Sequence, residues 1–281
     1  MTTTTLSSMC LLVVVSRLDP GAPLVVGANR DEQLVRPATA VTVLRDAHPR
    51  VVGGRDEEGG GTWLAVNEHG VVAGLTNRPS PNGRDPAKRS RGELPLALAR
   101  HRDAASAVDA FVTRFRPADY NPAWLLVGDR SALYALDMTG AAPGHDRPRI
   151  ESLPPGIHIL ENNPLHAQSP KADHVRSLLG DAGALAGAAL LERVRAVLVD
   201  HSVPSGLGDP ETGPDPGLNQ SPGRSRPVET LAACVHTETY GTRASTLVGV
   251  PADPGHHPRV LVADGHPCTA PFVDATGLFG P

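Results

Sequence analysis

Cys10 stands between Met9 and the apolar run Leu11-Leu12-Val13-Val14-Val15. A small residue after an initiator Met permits removal of that Met, so a start at Met9 yields a chain beginning with Cys10. A terminal cysteine offers a thiol together with an α-amine of ordinary pKa about 7.7–8.0, which can act as the thiol's base. The β-branched run behind it predicts a buried strand, a rigid mount for a nucleophile. The same apolar setting also suits an inert core cysteine, and residue type leaves both readings open.

The second unusual feature is Asn29-Arg30-Asp31-Glu32, four polar residues directly after the predicted strand Leu24 to Ala28. Asp19-Pro20-Gly21 supplies turn chemistry, so the two strands read as a hairpin whose far end returns to its start. Arg30 and Asp31 are thereby expected within reach of Cys10. A guanidinium there favours the thiolate, and the carboxylate is placed to orient the amine or a substrate group. The competing reading is a polar hairpin end carrying a surface ion pair.

Other chemistry is scarce. The sequence has no G-x-S-x-G, no H-E-x-x-H and no dinucleotide fingerprint. Gly53-Gly54 and Gly59-Gly60-Gly61 bracket an acidic stretch without a following Gly-Lys-Ser/Thr, so they do not form a P-loop. His256-His257 falls in a turn, and His236 with Glu238 alternates along a predicted strand; neither has metal-ligand spacing.

The elements that must position these residues run in blocks. A hairpin is predicted from Thr62 to Val66 and Val71 to Leu75 around Asn67-Glu68-His69-Gly70. Ser90 with Glu93 has the pattern of a capping box, and Asp103 that of a second N-cap. Strands are predicted at Trp124 to Val127, Leu133 to Leu136 and Gly156 to Leu160. Helices follow from Ser169-Pro170 to Gly180 and around Leu190 to Leu198. Ala233 to Thr237, Thr246 to Val250 and Val260 to Ala263 read as strands. This grouping predicts a layered α+β fold. Residues 1–8 form a polar extension, 9–281 a single domain, and 204–227, rich in Pro, Gly, Ser and Asp, a mobile loop.

The 281 residues carry a formal net charge of -4 and no basic run, which argues against a nucleic-acid partner. No apolar stretch approaches the roughly 20 residues of a membrane-spanning helix. A secretion signal fits poorly, since the apolar run follows Cys10, no basic segment precedes it and no cleavage site closes it. Cys10, Cys234 and Cys268 make an odd, sparse set that suits a reducing, cytoplasmic location.

In order along the chain stand Met9-Cys10 with its strand, Ala28-Asn29-Arg30-Asp31-Glu32, Arg36-Pro37, Gly60-Gly61-Thr62-Trp63-Leu64, Leu75-Thr76-Asn77, Arg91-Gly92-Glu93-Leu94, Asn162-Asn163 and Tyr240-Gly241-Thr242-Arg243. This series resembles the NRDE family. The resemblance implies an N-terminal-nucleophile (Ntn) hydrolase-like αββα sandwich, two antiparallel sheets flanked by helices. It further implies Cys10 as nucleophile, Arg30 and Asp31 as its supports, Asn77 as oxyanion donor, Asn162 holding the site and Arg243 as a later arginine. The function so implied is hydrolysis of a linear amide of a small molecule through a thioester, with no resident cofactor. The alternative is a non-catalytic protein whose cleft holds a haem or an acyl lipid.

Overall fold

The computed structural model describes residues 9–80, 83–140, 146–204 and 228–280. The extension 1–8 and the expected loop beyond residue 204 lie outside the described residues. Strands β1 (Met9–Ser16) and β2 (Leu24–Gln33) form the predicted first hairpin. β3 (Ala38–Arg45) and β4 (Val51–Asp56) come next, then the hairpin of β5 (Leu64–Asn67) and β6 (Val72–Asn77). Helices α1 (Glu93–Leu98) and α2 (Ala104–Arg114) lead into β7 (Ala123–Gly128), β8 (Leu133–Asp137), β9 (Arg149–Ser152) and β10 (Gly156–Leu160). Helices α3 (Pro170–Leu179) and α4 (Gly187–Val199) precede β11 (Tyr240–Val250), β12 (Arg259–Asp264) and β13 (Val273–Asp274).

The strands pair antiparallel in two sheets, one ordered β10-β1-β2-β11-β12-β13 and the other β3 to β9 in sequence. In the first sheet β11 inserts beside β2, which joins the two ends of the chain. Strand alternation sends Leu12, Val14, Val26 and Ala28 inward to meet Leu64, Val72 and Leu126 of the second sheet. The intervening residues Leu11, Val13, Val15 and Val25 pack under α3 and α4 against Val175, Leu190, Val194 and Leu198. On the far side, Ala73, Leu75, Leu125 and Val127 meet Leu94, Leu98 and Phe111 of α1 and α2. The result is the expected four-layer αββα sandwich. Aromatics are only 3% of the chain, so Val, Leu and Ala build these layers.

Several local expectations need correction. Asn29 to Glu32 lies inside β2, which continues to Gln33, and is buried instead of projecting from a strand end. The strand expected at Ala233 to Thr237 is a turn region with one bridge, His236 to Gly241. Its donors are used elsewhere: Cys234 N–H goes to the Asp200 carbonyl at 2.8 Å and Val235 N–H to Thr242 Oγ1 at 2.9 Å. The capping box does not form, because Ser90 Oγ donates to the Gly60 carbonyl at 3.1 Å and Glu93 accepts from Tyr120 and Arg89. Asp103 and Ser169 do cap their helices, accepting from Ser106 N–H and Ala172 N–H. Strands β3, β4, β9 and β13 were not legible: β4 carries two glycines, and all four residues of β9 are exposed.

Leu12 sits over Gly74 in the middle of the sandwich and is 2% exposed. Leu12→Ala is expected to lower stability by about 2–5 kcal/mol, because a cavity between two sheets cannot collapse fully. A urea titration checks this, and an unchanged midpoint would contradict the packing described.

Candidate functional site

Cys10 lies near the start of β1 and is 4% exposed. The β1–β10 register sets Leu12 opposite Leu160, which brings Asn162, two residues beyond β10, level with Cys10. Cys10 N–H accordingly points to that side and donates to Asn162 Oδ1 at 3.1 Å. On the other side β2 sets Arg30 directly opposite Cys10 and Asp31 opposite Met9. The hairpin thus delivers Arg30 to Cys10 as expected.

Because the polar tetrapeptide lies within a strand, its side chains divide between the two faces. Asn29 and Asp31 point into the helix layer. Asn29 Nδ2 donates to the Leu198 carbonyl at the end of α4 (2.9 Å) and to the Ala233 carbonyl (2.8 Å). Asp31, fully buried, accepts from Thr242 Oγ1 at 2.6 Å and pairs with Lys171 Nζ at 3.3 Å. Lys171, 1% exposed, also donates to the Thr230 carbonyl. Burial is the largest influence on Asp31 and pushes its carboxyl up to about 6, while the Lys171 charge works the other way.

Arg30 and Glu32 face between the sheets. Arg30 Nη2 bonds Asp56 Oδ2 at 3.1 Å and lies 3.7 Å from Glu32 Oε2, with its guanidinium 4.8 Å from the centre of the Trp63 ring. Arg36 grips the same Asp56 with two hydrogen bonds, at 3.0 and 3.1 Å. Burial works against ionisation of Asp56, yet these bonds hold its carboxyl below the usual range. Trp63 reaches its place because Gly54 has no side chain: a Cβ there would collide with the indole ring. Gly61 and Gly92 likewise pack backbone on backbone, locked by Thr62 N–H to the Gly92 carbonyl at 2.9 Å.

That glycine contact seats Arg91, whose charge acts on Cys10 and Glu32. Burial, followed by the neighbouring Arg84 charge, brings Arg91 down to about 10, so it remains a cation at neutral pH. Arg30 thus stands opposite Cys10 in the ladder, and Arg91 is close enough for its charge to act on the same residue.

Asn77 closes β6. Since Leu12 of β1 lies over Gly74 and the strands pack across the sandwich, the Thr76–Asn77 end of β6 lies toward the Cys10 end of β1. Arg30 Nη1, Thr76 Oγ1 and Asn77 Oδ1 are buried there without a hydrogen-bond partner among the described residues. Arg243 is less close. It bulges from β11, β2 stands between it and β1, and its guanidinium turns to Asp264 Oδ1 on β12 at 3.6 Å. Two strand spacings amount to roughly 10 Å.

Sequence reasoning missed Arg91 as a site residue, the Lys171–Asp31–Thr242 network and the Glu32–Asp56–Arg36–Trp63 cluster. Arg91 and Thr242 were visible only as members of longer motifs. Lys171 had one signal: a cation in the first turn of a helix opposes the helix dipole and needs a reason to be there. Separately, His48, Glu68 and His69 gather near the β5–β6 turn, with ligand atoms within 4.8 Å of one another. They lie at the opposite end of β6 from Asn77, and His48 Nδ1 already meets Glu68 at 2.6 Å.

Lys171→Met is expected to strand a buried charge on Asp31 and to cost about 3–5 kcal/mol at neutral pH. Asp31 has a folded pKa raised above its ordinary 3.8, so the native state holds the proton more tightly. Its contribution therefore favours folding below pH 4 and is lost as pH rises to about 6. Removing Lys171 raises that pKa further, so the variant's deficit shrinks on acidification. Urea denaturation at pH 5 and pH 8 checks this, and an equal deficit at both would contradict it.

A family model described as Transport and Golgi organisation 2 matches residues 9–257. The Transport and Golgi organization protein 2 homolog of Bos taurus is 33% identical over 245 residues, covering 83% of each chain. Its Homo sapiens counterpart is 30% identical over 243 residues, again covering 83% of each. Among solved structures, the Caenorhabditis elegans N-acylethanolamine-hydrolyzing acid amidase ortholog superposes with a TM-score of 0.52 at 14% identity, covering 88% of this chain and 95% of that one. That likeness is one of fold, the Ntn-hydrolase-like sandwich. By the extent of the match and the identity to these relatives, the chain belongs to the Transport and Golgi organisation 2 family, the NRDE family whose motifs its sequence carries.

Proposed function

We propose that residues 9–281 act as one amidohydrolase domain that opens a linear amide of a small molecule with the Cys10 thiolate, once Cys10 has become the N-terminus. The observation that carries this reading is the setting of Cys10. Its nitrogen is held by Asn162 Oδ1 at 3.1 Å, and its strand partner is the buried Arg30. Met9 occupies the β1 position opposite Asp31. Its removal leaves a free α-amine between Asn162 and that strand position and opens the end of the sheet to substrate.

The amine takes the thiol proton, and Arg30 and Arg91 favour the resulting thiolate. Sulfur adds to the amide carbon, and the oxyanion is met by Asn77 with backbone N–H donors. Collapse expels the amine, which takes its proton from the α-ammonium, and leaves a thioester. Water then releases the acid and restores the thiol. Asp31 positions the amine from its fixed place in the Lys171–Thr242 network. Arg243, turned to Asp264, serves in this reading at the substrate rim. No described helix is long and apolar enough to cross a membrane. Three free cysteines suit a reducing compartment, and we place the reaction in the cytoplasm.

One observation favours the non-catalytic alternative: with Met9 in place the Cys10 nitrogen is an amide, and the residue is 4% exposed. Haem fits this setting poorly, since Arg30, the strand partner of Cys10, and the nearby Arg91 put charge beside that residue in place of an apolar slot. An acyl chain would have to enter the same crowded end.

Intact mass and N-terminal sequencing of the protein from its own gene context, followed by assay on N-acyl amides, test the proposal. A chain beginning at Cys10 is expected to hydrolyse them, with Cys10→Ala inactive and Asn77→Ala slower by about 100–1,000-fold. A chain retaining Met9, or full turnover by Cys10→Ala, would sink it.

A further inference from the structure

Cys234, Cys268, His236 and His266 gather beyond the edge of the Asp31 network, and the proposed hydrolysis uses none of them. Cys234 is fully buried in the segment after the turn at Val228–Leu231. Cys268, in the loop between β12 and β13, is partly exposed. The Cys268 sulfur lies 3.6 Å from His236 Nδ1, and the His236 and His266 rings stack with centroids 3.9 Å apart. The two thiols are within hydrogen-bonding reach of each other, and burial together with the Cys268 sulfur pushes the Cys234 thiol up to about 12. One thiol is therefore accessible and has an imidazole beside it; its neighbour is a protonated thiol shielded from solvent.

We infer that Cys234 and Cys268 form a reversible redox pair, in which Cys268 is oxidised first by a hydroperoxide and Cys234 closes a disulfide onto it. His236 takes the Cys268 proton, and the thiolate attacks the terminal peroxide oxygen. The S–O bond forms as the O–O bond breaks, giving the Cys268 sulfenic acid and an alkoxide or hydroxide that takes a proton. The Cys234 sulfur then displaces the hydroxyl of the sulfenic acid, and its own proton leaves with that hydroxyl as water. The two thiols have together lost two electrons to the peroxide. A dithiol returns both to the reduced state by exchange.

The disulfide ties the β12–β13 loop to the segment whose Ala233 carbonyl holds Asn29 and whose Val235 N–H holds Thr242. Oxidation would thus rigidify the side of the sheet on which Asp31 is seated. The chemistry does not depend on Cys10, and its test is independent of any hydrolase activity.

The full chain is treated with a small molar excess of hydrogen peroxide and mapped by mass spectrometry of non-reduced peptides. The expected result is one linkage, Cys234 to Cys268, with loss of two hydrogens, a raised melting temperature and reversal by dithiothreitol. His236→Gln is expected to slow the loss of the Cys268 thiol by about tenfold, because the base 3.6 Å from the sulfur is gone. Cys268→Ser should leave Cys234 reduced, and Cys234→Ala should let Cys268 run on to the sulfinic acid. Because a change at buried Cys234 risks the fold, the variants at partly exposed Cys268 and exposed His236, Cys268→Ser and His236→Gln, carry the test independently. Two free thiols after peroxide, a Cys268 linkage between chains, or oxidation of Cys268 to sulfinic acid in the unaltered chain would overturn the inference.

Discussion

Cys10 stands opposite Arg30 because β1 and β2 pair in one register, and strand period then assigns every neighbouring side chain to a face. A slip of one residue would send Arg30 into the helix layer and Asp31 into the space between the sheets. The buried Asp31 makes that slip costly. Its carboxylate has Lys171 and Thr242 on the helix side and would lose both. Apolar alternation says the same thing from either end of the hairpin, with Leu12 and Val14 inward and Leu11 and Val13 under the helices. The polar pair and the apolar pattern therefore enforce one register between them.

With that register set, the rest of the molecule supplies counter-charges from distant parts of the chain. Lys171 comes from α3, Thr242 from β11, Asp56 from β4 and Asn162 from the end of β10. The two faces of β2 receive different treatment. The helix face is closed, with Asp31 enclosed by donors. The face between the sheets carries Arg30, Glu32, Arg36 and Asp56, with cations and carboxylates interleaved and Trp63 beneath. Buried polar groups of this density are costly unless paired, and at the Cys10 end Arg30 Nη1, Thr76 Oγ1 and Asn77 Oδ1 have no hydrogen-bond partner among the described residues. Glycines at Gly54 and at the Gly61–Gly92 contact make the crowding possible, because no other residue lets ring or backbone approach so closely.

Local pattern by itself determined much of this protein. The apolar runs of β1, β2, β5, β6, β7 and β11, the Asp103 and Ser169 caps and the block order of strands and helices were all readable, as they rest on period and turn chemistry within a few residues. So was the approach of Arg30 to Cys10, because a short hairpin converts sequence spacing directly into distance. The ordered motifs also marked Asn162, which meets the Cys10 nitrogen. What only the tertiary structure decided is the partnership of groups far apart in sequence. Nothing local tells Lys171 that it faces Asp31, or Arg91 that it lies near Cys10. Nor does local sequence reveal that Ala233 to Thr237 gives its donors to Asp200 and Thr242 in place of a ladder. The polar tetrapeptide was read as the end of a strand because charge normally marks exposure. Here Arg30 is met by Asp56 of β4 and Asp31 by Lys171 of α3, and that pairing, invisible along the chain, is what allows both to be buried.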